Sequence, residues 1–165
     1  EPGRYNRSWF ERRRNVSLAG TSNEQSVEEL LDLARANAQA LIIATTGYLT
    51  QAGIPLEGWS GYLGQVFANS WDESMTGDPK AFLDAVLTNY KAIGAQVHST
   101  KTEAGRVEAV ISGFPSQELC EELDADCSLA ESYNDAAAHV AERLGLTWWW
   151  GTSDGMTTLV VTAGE

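Results

Sequence analysis

The apolar residues of this sequence change period near Gly94, from a repeat of three to four residues before it to alternation after it. That switch admits few architectures, because a helix offers one stripe and a strand one face, and both must be buried in the same core. On the helical side, Ser26 with Glu29 three residues later has the form of a capping box. It opens a first helix whose Leu30, Leu31, Ala34, Ala38, Leu41, Ile42 and Leu49 are expected to face the core, until Gly53 and Pro55 stop it. A second helix is expected from Leu56 or Glu57 to Met75, carrying Trp59, Leu63, Val66, Phe67 and Trp71, with Gly58, Gly61 and Gly64 weakening its first turns. Asp78 and Pro79 then cap a third, whose apolar side is Phe82, Leu83, Val86, Leu87 and Tyr90, and Gly94 closes it.

Beyond Gly94, residues 96–101 and 106–112 read as a hairpin rich in Val, Thr and Ile. Ser116 caps a short acidic helix, and a further helix is expected from Ser128 to Gly145, with Leu129, Tyr133, Ala136, Ala137, Val140 and Leu144 in one stripe. Residues 146–150 and 156–162 form a second hairpin across Ser153-Asp154-Gly155. The order predicts an α+β fold: N-terminal helices followed by ββ-αα-ββ, as one domain over residues 26–165, with an antiparallel four-stranded sheet and helices packed on one face.

Charge separates the ends of the chain. Residues 1–14 hold five Arg and two Glu, net +3, and the remainder holds 6 basic and 21 acidic residues, net -15, within a total of -12. An acidic body repels phosphate backbones and anionic headgroups, so neither nucleic acid nor a membrane is an expected partner. Arg4, Arg7, Arg12, Arg13 and Arg14, interleaved with Tyr5, Trp9 and Phe10, make residues 1–25 a basic aromatic arm and linker. Such an arm is expected to reach a second copy of the chain or a protein partner.

Cys120 and Cys127 are the two cysteines. Their number allows one bridge at most and makes a reducing cytoplasm the default, and their acidic neighbours Glu118, Glu121, Glu122, Asp124 and Asp126 argue against a reactive thiolate, so ordinary buried or half-buried cysteines, bonded or not, are the expectation. Cys127, Glu131, Asp135 and His139 follow at i+4 spacing, a pattern that suits a divalent metal. A solvated polar face is the preferred reading of that row, and no metal is assigned. Trp148, Trp149 and Trp150 are consecutive on an expected strand, so Trp149 must face away from the other two. Together with Trp59, Trp71 and Tyr133 they offer the wall of a pocket for a flat apolar ligand between sheet and helices.

The C-terminal half, on the strand 106–112, Gly113-Phe114-Pro115, Cys127 opening a helix, and the hairpin through Asp154-Gly155 to Leu159-Val160-Val161, resembles the bacteriochlorophyll 4-vinyl reductase-like domain and its L-2-amino-thiazoline-4-carboxylic acid hydrolase-like relatives. The resemblance implies a small α+β domain that binds a small apolar or tetrapyrrole-like molecule and often dimerises. Members tend to carry two further cysteines where Trp149 and Thr157 stand here, so Cys127 alone carries over. The expected function is small-molecule binding, as sensor or carrier, with no cofactor required. The alternatives are a hydrolase of a small C-N or C-S heterocycle using Cys127, Glu131 and His139, and a structural subunit docking through its arm.

Overall fold

The computed structural model describes residues 25–164; the arm, with the partner-binding residues expected there, lies outside them. Three helices come first, α1 (Val27–Gln51), α2 (Leu56–Ala68) and α3 (Pro79–Ala92), followed by the hairpin β1 (Gln96–Glu103) and β2 (Arg106–Ser112). After α4 (Gln117–Leu123), α5 (Cys127–Ala130), a 3-10 turn (Glu131–Asp135) and α6 (Ala136–Arg143), the chain closes on β3 (Leu146–Ser153) and β4 (Met156–Ala163). The sheet is antiparallel in the order β1-β2-β4-β3, so the two hairpins meet along β2 and β4, with Ala109 opposite Leu159 and Val107 opposite Val161. The α+β architecture expected from the change of period is the one observed.

Local chemistry explains the boundaries. Glu29 N donates to Ser26 Oγ at 3.2 Å and Ser26 N to Glu29 Oε2 at 2.7 Å, the reciprocal capping box. Asp78 Oδ1 accepts from the backbone of Lys80 and Ala81, and Pro79 follows where no N–H is needed. Asp154 and Gly155 both adopt positive φ, 52° and 73°, as the tight turn between two twisted strands requires.

The core lies between one face of the sheet and α3 and α6. Phe82, Leu83, Ile111, Leu159 and Val161 are each 0% exposed. The other sheet face looks outward, where Trp149, opposite Val160 in register, is 57% exposed and lays its ring over Gly151.

Three expectations are corrected. First, α1 forms where its cap and stop place it but turns its other side inward. Gln39, Ile43 and Thr46 are its buried residues and Ile42, of the expected stripe, packs against the core beside them, whereas Leu30, Leu31 and Leu41 are 48%, 45% and 70% exposed. The orientation is set by the Gln39 amide, whose Nε2 donates to Ile93 O and Gly113 O and whose Oε1 accepts from Ser116 N, at 2.8 to 2.9 Å. Three bonds to three different segments outweigh the apolar area left outside, since a buried amide without partners is costly.

Second, α2 ends at Ala68 rather than Met75, so Trp71 lies on the connection to α3. Its glycines serve packing. A Cβ on Gly64 would sit 2.5 Å from Ala136 O and 2.9 Å from His139 Cβ, and one on Gly61 3.2 Å from His139 Nε2. α2 and α6 therefore cross at a distance that only glycine allows.

Third, the expected helix from Ser128 is broken by the 3-10 turn, which takes Glu131 and Asp135 out of line with Cys127 and His139.

Gly64→Ala is expected to destabilise the protein by ~1 to 3 kcal/mol through overpacking against a backbone carbonyl. Gly58, where a Cβ meets nothing within 4 Å, should gain up to about 1 kcal/mol as Ala. Urea unfolding midpoints of the two variants check this, and equal effects would contradict the close crossing.

Candidate functional site: an aromatic cavity between helices

A cavity of about 380 Å³ opens between α2, α3 and α6. Phe67, Trp71, Tyr90, Tyr133, Val86 and Val140 form its walls, while Ser70, Asn89 and Ala92, all exposed, stand at its mouth. The aromatic walls lean on one another edge to face. Tyr133 stands 6.3 Å from both Phe67 and Tyr90 and 5.3 Å from Phe114, which lies 5.6 Å from Tyr90. Such pairs add packing energy beyond area and hold ring orientations.

The polar floor beside them is the 3-10 turn. Tyr90 donates its hydroxyl to Asn134 Oδ1, Trp148 Nε1 donates to Asn134 O at 2.9 Å, and Trp150 Nε1 donates to Asp135 Oδ1 at 2.7 Å. Asn134 is 0% exposed and lies behind the lining; its Oδ1 and backbone carbonyl are both used, while its Nδ2 has no hydrogen-bond partner. Burial pushes the Tyr90 hydroxyl well above its ordinary pKa of 10.0, with Tyr133 and Asp135 adding to the shift, and burial raises Tyr133 as well.

Of the six residues expected to bind ligand, Trp71 and Tyr133 line this cavity. Trp148 and Trp150 sit beneath it, packed against the core and holding the turn, so their indoles support the wall and do not form it. Trp149 faces outward and the half-buried Trp59 is outside the lining, so neither is part of the site.

The expected catalytic set is dispersed in role. Cys127 is bonded to Cys120 in a disulfide, which settles the pairing that the sequence left open and removes Cys127 as a free thiol nucleophile. His139 packs against Gly61 and Gly64, and Glu131 opens the 3-10 turn. Among the described residues no three His, Cys, Asp or Glu side chains gather into a group able to hold a metal ion.

Phe67, Tyr90 and Asn89 are lining residues that sequence reasoning missed, with Asn134 behind them holding the Tyr90 hydroxyl. The available signal was Asn134 itself, an amide in the middle of an expected helix beside its core stripe, where asparagine is a poor choice unless it is bonded to something.

A second cleft, lined by Arg35, Gln39 and Ser116, is rimmed by Asp32, Glu118 and Glu122. Arg35 already pairs with Asp32 at 3.2 Å, and the acidic rim disfavours an anion there.

No protein-family model matches the chain, and neither a curated protein nor a solved structure matches it.

Both raised phenols keep their protons in the folded state at pH values where the unfolded chain releases them. Stability should therefore be independent of these groups below pH 10 and fall as pH rises above it. Urea unfolding across that range checks the sign, and Tyr90→Phe should make the fall shallower. For the bridge, a thiol reagent should find no free cysteine in the native protein, and Cys127→Ser should cost about 2 kcal/mol, the low end for a short loop.

Proposed function

We propose that the chain binds a compact, flat, largely apolar small molecule in the cavity between α2, α3 and α6, as a sensor or carrier. The observation that carries this reading is a preformed hollow with aromatic walls and the polar residues Ser70 and Asn89 at its mouth. That combination of apolar lining and few convergent polar groups is what small-molecule sites share. At about 380 Å³ the hollow lies near the small end of ligand pockets, which favours a mono- or bicyclic molecule over a tetrapyrrole.

The Cys120–Cys127 bridge supports an oxidising compartment in place of the expected cytoplasm, because such bonds persist where thiols are not kept reduced. Among the described residues no helix is long and apolar enough to cross a membrane.

The fluorescent probe 8-anilinonaphthalene-1-sulfonate tests the site. It should bind the native chain and quench tryptophan emission, with Trp71 in the wall as the donor. Ala137→Phe, which fills the hollow, should weaken binding by about tenfold, roughly 1.4 kcal/mol. Trp149→Ala and Leu41→Glu, neither of which lines the cavity, should leave it unchanged. Loss of binding in either of these with retention in Ala137→Phe would sink the proposal.

A further inference from the structure

The helix α1 carries an apolar seam on the side that the fold does not use. Val27, Leu31, Ala34, Ala38, Leu41, Thr45 and Tyr48 follow at spacings of four and three without a break, a 3.5-residue repeat sustained over the length of the helix. The seam is open, with Val27 83%, Leu41 70% and Tyr48 68% exposed, and the buried residues Gln39, Ile43 and Thr46 lie on the opposite side. A helix needs a period of 3.6 to face a globular core and 3.5 to follow another helix. The first turns make the same point, because residues 27–32 are exposed all round. A helical end projecting from the body is marginal in water without a partner.

We infer that the occupant of this seam is a second copy of the chain, its α1 antiparallel to the first about a two-fold axis. In a parallel pair Glu28, Glu29 and Asp32 would meet their own copies, whereas the antiparallel pair separates these acidic turns by the length of the helix. In the antiparallel register Leu41 packs against the partner's Ala38, Leu31 against the partner's Tyr48, and Ala34 against the partner's Thr45. The central layers thus place a large side chain on a small one and let the backbones approach closely. The outer flank, Leu30, Asn37, Ala44 and Gln51, holds no charge to select a different partner, which favours self-pairing.

Sedimentation equilibrium of the full chain tests this. The native protein should run at twice 17.9 kDa. Leu41→Glu, at an exposed position that the fold of one chain tolerates, should weaken the dimer at least about a hundredfold while its circular dichroism stays native. Oxidation of a mixture of Leu31→Cys and Tyr48→Cys chains should trap a mixed dimer. Leu31→Cys alone should not cross-link, its two copies lying about 25 Å apart by the helical rise. A single-chain mass at every concentration, a dimer indifferent to Leu41→Glu, or cross-linking of Leu31→Cys to itself would each overturn the inference. A dimer lost in the double variant Trp9→Ser and Phe10→Ser yet intact in Leu41→Glu would place the contact in the arm and overturn it equally.

Discussion

Two indole N–H bonds hold the centre of this protein together. Trp148 and Trp150, two residues apart on β3 and facing the same side, reach the backbone of Asn134 and the side chain of Asp135. They fasten the one segment between α5 and α6 that is not an α-helix. A 3-10 turn has poorer internal hydrogen bonds than an α-helix, so this turn persists because partners outside it compensate. The Tyr90 hydroxyl supplies the third, from α3. Sheet, α3 and α6 are thereby joined at one polar point inside an apolar core, and the cavity lies directly beside it. Removing any one partner would leave a buried donor or acceptor unpaired, which costs more than the bond contributes.

The same logic governs α1. Its orientation follows from one glutamine that satisfies backbone groups at the end of α3, after β2 and at the start of α4. The disulfide and the small cluster of Ile43, Leu119, Cys120 and Ala130 reinforce that attachment from the α4 and α5 side. An apolar stripe that hydropathy assigns to the core is thereby turned out, and the helix becomes two-sided. One side is fixed by polar specificity within the chain, and the other stays exposed.

Helix α2 shows a third form of constraint. Its glycines lower helix propensity, but a side chain on Gly64 would collide with Ala136 O and the base of His139, and one on Gly61 would press on the His139 ring. His139, a member of the row that suited a metal and of the candidate catalytic set, packs against these glycines, and the close approach of α2 and α6 there helps shape the wall formed by Phe67 and Val140.

What the sequence by itself determined is local and periodic. The capping box at Ser26, the Asp78-Pro79 start, the Asp154-Gly155 turn and the change from a helical to an alternating period each follow from interactions within a few residues, and they suffice for the α+β class and both hairpins. Alternation also required that Trp149 part from Trp148 and Trp150. Only the tertiary structure decided which face of α1 is inside, where the helix after Ser128 breaks, that Cys120 and Cys127 are bonded, and that the cavity lies among helices and not against the tryptophan strand. Each of these turns on a contact between residues distant in the chain, Gln39 with Gly113 or Trp148 with Asn134, or on how a short bend closes, as between the cysteines. Hydropathy along a sequence carries no record of which buried polar group will find its partner, and here those partners outweigh the apolar pattern.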